Sequence, residues 1–162
     1  MIAQRILYTT PEGDLIIIAP AYNDLARPKD DTDDALVERL VAGAFPSGTM
    51  YRIISEETCL ADIDACEGRI FRGAWEDNGI AIQVNMTKAR AIHIDRIRKV
   101  RNAELAKLDI PWMKAVEDGD TDMQATIKAK KQELRDIPQT FDLTTDTPKE
   151  LKEKWPEGLP KE

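Results

Sequence analysis

Metal-binding side chains are scarce in this sequence, which contains two cysteines and one histidine among 162 residues. A structural zinc site recruits four cysteine or histidine ligands, often through closely spaced cysteine pairs. Cys59 and Cys66 stand seven positions apart, and His93 lies well downstream of both. The sequence therefore predicts no metal site. We expect two free thiols in a reducing compartment, although the spacing leaves a disulfide open.

The motifs of common catalytic and nucleotide-binding sites are also missing. The chain has no P-loop and no dinucleotide-binding fingerprint, and Ser47 and Ser55 lack the Gly-x-Ser-x-Gly context of a nucleophile elbow. An acid–base role for His93 would require a placed partner residue, so a packed or exposed helical histidine is favoured. We predict a protein that is not an enzyme and that uses no cofactor.

Long apolar runs are absent too. The apolar residues at the start are interrupted by Arg5, and no later stretch approaches the ~20 apolar residues that a bilayer span needs. The formal net charge of −7 means that the chain as a whole repels polyphosphate and anionic membranes. We therefore expect no membrane partner, and nucleic acid is an unfavoured partner because it would need a segregated basic patch.

The first half of the chain mixes strand and helix patterns. Residues 4–9 and 15–19 flank a turn cluster and predict a β-hairpin. Apolar pairs at i,i+4 within residues 35–42 predict a short amphipathic helix that Gly43 can close. A turn at 46–48 leads into a predicted third strand at 50–54, which is followed by a short helix around 57–66. Phe71 and Trp75 are expected to be core anchors. A further strand is predicted at 80–84.

Four aspartates precede the first helix, at Asp30, Asp31, Asp33 and Asp34. Clustered carboxylates are typical of calcium sites, but an EF-hand loop also needs a central glycine and a distal glutamate, and neither is in place here. Negative charge suits the positive N-terminal end of a helix. We therefore favour a solvated loop that leads into the helix.

Helix formers dominate from Asn85 onward, and proline and glycine vanish until Pro111. Residues 86–108 predict a long helix, and Pro111 suits the first turn of a second, short one. A third helix covers 122–135 and is stopped by Pro138. Thr147, as the N-cap, begins a short terminal helix that can dock back on the chain. The apolar faces of these helices are predicted at Ile94, Ile97, Leu105 and Leu108, at Trp112, Met113 and Val116, at Met123, Ile127 and Leu134, and at Leu151 and Trp155.

These patterns predict an α+β protein. Its three parts are a small β-hairpin or sheet unit with a helix over residues 1–84, a long helical hairpin region over 85–138, and a C-terminal tail with a short helix over 139–162. The two longer helices are joined by a short element, so an antiparallel pair is the economical arrangement.

The long helix carries a local excess of lysine and arginine within an acidic protein. It could pair with the protein's own acidic N-terminal part, dock an acidic partner, or meet nucleic acid, the last being weakest without stacking aromatics nearby. Tryptophan is enriched in interface hot spots, although we favour the core for Trp75 and Trp112 and leave Trp155 open. The candidate partner-binding residues are Arg90, Arg96, Arg98, Lys99, Arg101, Trp112 and Trp155.

Several strings in the last two thirds of the chain occur in an order that resembles phage and prophage tail or tail-fibre assembly proteins. They are PSGTMYRII (46–54), RIFRGAW (69–75), MTKARAIH (86–93), LDIPWM (108–113), LRDIP (134–138) and ELKEKWP (150–156). The last two make the ending similar to tail-fibre assembly chaperones, which help fibre chains fold, trimerise or attach. The resemblance implies no cofactor and no catalytic residues.

The expected function is therefore that of a non-enzymatic tail-fibre assembly chaperone. A structural virion adaptor at the tail or tail-fibre base is the alternative, and a small host-directed regulator is a second alternative. Expected partners are tail-fibre or other tail proteins, with a homo-oligomer left open. The expected location is the cytoplasm of the infected bacterial host during assembly, or else the virion tail.

Overall fold

Short antiparallel strands occupy the first half of the chain and helices dominate the second, which confirms the predicted α+β class. The computed structural model describes residues 3–45 and 49–161. The turn predicted at 46–48 lies outside these residues. The chain folds as two compact units, Met1–Asn85 and Met86–Glu162, and the segment that the sequence set apart as a tail belongs to the second.

Three strands form the sheet of the first unit: β1 (Gln4–Thr9), β2 (Leu15–Ile18) and β3 (Tyr51–Ser55). Their order is β2-β1-β3 and both pairings are antiparallel, which confirms the hairpin and the third strand. Neighbouring side chains on a strand point to opposite faces. Ile6 and Leu7 on β1 are both buried, so both faces of the central strand are covered.

The Leu7 face of the sheet packs into a hydrophobic core. Leu7 packs there with Cys59 of helix α2 (Glu56–Ala65) and with Cys66, which directly follows that helix. The same core contains Trp75 and Ile82 from a two-stranded sheet, β4 (Trp75–Asp77) and β5 (Ile82–Val84). The predicted helix at 57–66 is thus confirmed, whereas the strand predicted at 80–84 is confined to 82–84, because the Asn78 side chain accepts from the Ile80 and Ala81 N–H groups (2.9 Å each) in a bend. Phe71 and Trp75 are buried, as expected of core anchors, and Phe71 lies in a 3₁₀ segment, Gly68–Ala74, that was not predicted.

Helix α1 (Asp33–Ala44) extends the predicted 35–42 by two residues at each end, so Asp33 and Asp34 lie in its first turn. The Thr32 hydroxyl caps it by accepting a hydrogen bond from the Ala35 N–H (3.1 Å). The prediction that Gly43 closes the helix is wrong, because Gly43 lies within it. The Phe45 N–H still bonds to the Val41 carbonyl, and the Phe45 ring packs 4.7 Å from that of Tyr8. This tertiary contact extends the helix past the glycine.

The second unit consists of four helices, α3 (Met86–Lys107), α4 (Asp109–Glu117), α5 (Thr121–Thr140) and α6 (Pro148–Glu153), within its described residues. Its core is formed by Ile97 of α3, Leu134 of α5 and Leu159 near the end of the chain. The predicted face of α3 is confirmed, since the half-buried side chains around this core include Ile94, Leu105 and Leu108.

Helix α5 contradicts the prediction that Pro138 stops it, because it runs on to Thr140. Proline removes one backbone donor and crowds the carbonyl four residues before it. The helix survives because the Phe141 N–H bonds to the Ile137 carbonyl (2.9 Å) and the Phe141 side chain packs against the core. The local penalty is therefore offset by hydrogen bonding and packing in the last turn.

The terminal helix α6 confirms both its predicted start and its docking. The Thr147 hydroxyl accepts from the Glu150 N–H (3.2 Å), and Pro148 occupies the first turn. Leu151 is completely buried, and α6 packs on α3. None of the helices that the structure describes is long and apolar enough to cross a bilayer.

Candidate functional site

The candidate cations of α3 lie among groups of their own unit. Arg90 donates to the Thr145 carbonyl (2.6 Å), and the Arg96 guanidinium lies 5.9 Å from the centre of the Trp155 ring. Further contacts along the helix include those of Arg98 with Asp95 (2.8 Å) and Arg101 with Asn102 (2.9 Å), and Lys99 is an exposed residue. The five cations do not converge on one point, and a partner-binding role for them stays a prediction.

Trp112 and Trp155 are both half-buried and hold elements of the second unit together. Lys131 of α5 lies 5.6 Å from the Trp112 ring centre and also pairs with Asp109 (2.8 Å), so it fastens α4 to α5. The Trp155 indole N–H donates to the Leu159 and Pro160 carbonyls (3.2 and 3.1 Å). These internal contacts do not test whether either ring also meets a partner.

His93 is completely buried under the segment that follows α6. Its Nε2 lies 2.7 Å from the Lys154 carbonyl oxygen, and its ring meets the edge of Trp155 at 5.7 Å. A carbonyl can only accept, so Nε2 carries the proton and donates. Burial lowers the pKa of His93, which keeps the ring neutral. The imidazole thus ties residues 154–155 to α3.

The acidic loop of the first unit is organised by arginines. Asp31 pairs with Arg27 (3.1 Å) and Arg39 (2.7 Å), and Asp33 pairs with Arg27 (2.8 Å). Hydrogen bonding to Arg39, followed by that to Arg27, lowers the pKa of Asp31. In the part of the chain that the structure describes, no group of three or more His, Cys, Asp or Glu residues is placed to hold a metal ion.

An open groove of about 690 Å³ runs along the first unit beside β1 and β3. Tyr8, Met50 and Tyr51 line its apolar part. The two charged side chains in its lining, Arg52 and Asp77, bond to each other (2.6 Å). Because the two charges neutralise each other, this pair gives the groove no net charge.

The most distinctive surface feature lies on α4, where large apolar side chains face water. Ile110, Met113 and Val116 are spaced three residues apart and are 61, 55 and 50% exposed, and Met123 in the first turn of α5 is 48% exposed. We call these four residues the α4 face. The opposite side of the helix, at Ala115, is buried.

The sequence analysis predicted Met113, Val116 and Met123 on the apolar sides of their helices, and in the structure these side chains are exposed. Three-residue spacing predicts an apolar stripe but cannot show whether the stripe faces inward. A short helix needs only one buried side, and Trp112 and Ala115 supply that side here. The exposed stripe is therefore additional to the packing of the unit.

The first unit also has exposed apolar residues, and Ile16, Tyr51 and Ile53 (42, 47 and 41% exposed) share the Ile6 face of its sheet. Leu25 and Ile80 lie in turn or bend segments of the first unit, and Met50 directly precedes β3. Single apolar residues on a surface are ordinary, whereas clustered ones mark interaction sites. The side chains of the α4 face are more exposed than those of the sheet, so the α4 face is the stronger candidate for a functional surface.

No protein-family model, no curated protein and no solved structure matches this chain. Function is therefore inferred from the α4 face together with the sequence resemblance.

Proposed function

We propose that this protein is a non-enzymatic assembly chaperone for a phage tail fibre, and that it covers apolar segments of the fibre chain with its α4 face. The observation that carries the proposal is the exposure of four large apolar side chains on and beside one short helix. The resemblance to tail-fibre assembly proteins supports it, and one of the strings concerned, LDIPWM, includes Ile110 and Met113.

The size of the α4 face suits reversible binding. Full burial of one large apolar side chain contributes about 1.5–3 kcal/mol. Because the four side chains are each about half exposed, covering them completely would contribute about 3–6 kcal/mol before the cost of association. Because association itself costs about 4–15 kcal/mol, the face holds a partner only together with the apolar area that the client buries, and such binding is weak and reversible. A chaperone must release its client, so this range fits the role.

The chemistry of the face suits clients of varied shape. Met113 and Met123 have unbranched, flexible side chains with a polarizable sulfur, and such side chains adapt to different contours. Methionine-rich surfaces are used where one protein binds several sequences. A fibre chain presents different uncovered segments as it folds and trimerises.

The support under the face is firm. The Lys131–Asp109 pair fastens the start of α4, and the Asp120 N–H bonds to the Ala115 carbonyl (2.9 Å) near its end. The Gln124 side chain also donates to Ala115 (3.0 Å). Since α4 is held at both ends, its apolar side chains are presented in place, which lowers the ordering cost of binding.

The first test is quantitative mass spectrometry of purified virions beside the lysate of infected cells. A chaperone acts in the bacterial cytoplasm and leaves, so we expect the protein to be abundant in the lysate and absent from virions. Stoichiometric presence in virions would overturn the chaperone proposal in favour of a structural adaptor at the tail or tail-fibre base.

The second test is complementation of a phage that lacks this gene. We expect the double variant Met113→Ser, Val116→Ser to yield particles with fewer fibres, counted by electron microscopy. Met50→Ser is the matched control, because it removes an exposed methionine from the first unit. Normal fibre numbers with the double variant would show that the α4 face is not used.

A further inference from the structure

The surface beside the α4 face is acidic. Between positions 114 and 122 the chain carries four carboxylates, on Glu117, Asp118, Asp120 and Asp122, against one cation, Lys114. All five side chains belong to exposed residues. We call the four carboxylates the acidic rim.

The local fold accounts for only part of this rim. Asp120 caps α5 by accepting from the Met123 N–H (2.9 Å), and Asp122 lies in the first turn of that helix, where negative charge is favourable. Glu117 and Asp118 lie at the C-terminal end of α4, where negative charge opposes the helix dipole. These two residues are therefore not explained by helix stability.

The rim is also not neutralised by its own unit. The pairs Arg98–Asp95, Lys107–Glu104, Lys131–Asp109 and Lys154–Asp142 engage other carboxylates. Across residues 3–45 and 49–161, no cation pairs with Glu117, Asp118 or Asp122. An apolar surface bordered by uncompensated negative charge is complementary to an apolar segment bordered by positive charge.

We infer that the partner of the α4 face is a protein segment whose apolar side chains are flanked by lysine or arginine. This inference rests on the proposed function and names its class of client. The acidic rim attracts such a segment at long range and repels acidic ones, and the apolar contacts then hold it. The attraction weakens as salt screens the charges.

A second copy of the chain fits less well. Its basic helix is α3, whose exposed cations include Arg98 and Lys99. The apolar side of α3 is already occupied, since Ile97 is completely buried in the core of its own unit. Through α3, a second copy therefore offers positive charge without a free apolar side beside it.

The test uses the full chain and two fluorescein-labelled amphipathic peptides with the same leucine positions. One peptide carries lysine at its polar positions and the other carries glutamate, and binding is followed by fluorescence anisotropy. We expect the lysine peptide to bind about tenfold more tightly, with the difference shrinking as salt is raised. Equal binding of the two peptides would overturn the inference on charge.

Two variants separate this inference from the proposed function. The rim variant Glu117→Gln, Asp118→Asn should weaken binding of the lysine peptide to about the affinity of the glutamate peptide. The face variant Met113→Ser, Val116→Ser should weaken binding of both peptides. Glu133→Gln, an exposed carboxylate of α5 outside the rim, is the matched control and should change neither.

The remaining outcomes are distinct. If the face variant weakens both peptides and the rim variant has no effect, the charge inference fails and the proposed binding surface stands. If the face variant leaves binding of both peptides unchanged, the proposed surface fails and the inference fails with it. Concentration-dependent self-association that the rim variant abolishes, measured by sedimentation, would make a second copy the occupant and overturn the inference.

Discussion

Cys59 and Cys66 are buried free thiols in the core of the first unit, which agrees with the favoured prediction that they do not pair. The Cys66 thiol donates to the Ile82 carbonyl (3.4 Å), and burial raises its pKa to about 11. Burial likewise raises the pKa of Cys59. The thiolate is the nucleophilic form of cysteine, so both side chains are protected from electrophiles in the folded protein.

We expect the native protein to react slowly with a thiol reagent at about pH 8. With a pKa near 11, the thiolate fraction of Cys66 is about a hundredfold or more below that of a free cysteine, whose pKa is about 8.5. Chromophore release from Ellman's reagent measures the rate, with the protein in denaturant as the control. Rapid native labelling of a Cys59→Ala variant, which retains only Cys66, would contradict this expectation.

His93 makes the stability of the second unit depend on pH. Its folded pKa lies below the unfolded value of 6.5, so the unfolded chain binds a proton more readily as the pH falls. The contribution of the neutral ring is therefore complete above about pH 6.5 and is lost as the pH falls below that value. Asp142, whose pKa is lowered to about 2 chiefly by the Thr144 hydroxyl, titrates well below this window.

The variant His93→Gln tests this coupling. The glutamine amide can replace the donor to the Lys154 carbonyl but does not titrate. Urea unfolding between about pH 5 and pH 8 should show the parent protein losing more free energy of unfolding on acidification than the variant does. Parallel pH profiles for the two proteins would exclude His93 as the source.

At the scale of elements, substitutions on the buried and on the exposed side of the α4–α5 pair should differ in their effect on the free energy of unfolding. Leu134 is buried in the core, so Leu134→Ala should lower the free energy of unfolding by about 2–5 kcal/mol. Met113 is exposed, and Met113→Ala should change it by about 0.5 kcal/mol or less. Urea denaturation measures both. A large loss for Met113→Ala would mean that α4 packs through the side assigned here to a partner.

Helix starts were predictable from sequence because the signal is a single side chain bonding to nearby backbone. Thr147 caps α6 as predicted, and Thr32, which was not singled out, caps α1 three residues before the predicted 35–42. Helix ends were not predictable in this way. Packing of Phe45 extends α1 past Gly43, and packing of Phe141 extends α5 past Pro138. Local chemistry thus fixes where a helix begins, and tertiary contacts decide where it ends.

The candidate surface could be found only in part from sequence. The string around α4 and the apolar spacing of its residues were visible, and Trp112 was singled out. Which side of α4 faces water depends on α5, which lies in another part of the chain and contacts Trp112 through Lys131. Periodicity identifies a stripe, whereas its exposure is a property of the packed unit.

At the scale of the whole molecule, each unit has a core of its own. Residues 86–162 enclose the cluster of Ile97, Leu134 and Leu159, and the first unit encloses a separate cluster around Leu7. We therefore expect residues 86–162, expressed alone, to be helical by circular dichroism and to unfold in one cooperative thermal transition. A gradual loss of helical signal would show that this unit depends on the first one.

The hydrogen bond between His93 and Lys154 joins residues 61 positions apart in sequence. A ribosome that adds about 5–20 residues per second needs about 3–12 seconds to synthesise that interval. Until that segment is made, nothing from the C-terminal end covers the buried side of α3, and Ile97 has Leu134 but not Leu159 as a core partner. During its own synthesis the protein therefore passes through the aggregation-prone condition from which we propose that it protects the fibre.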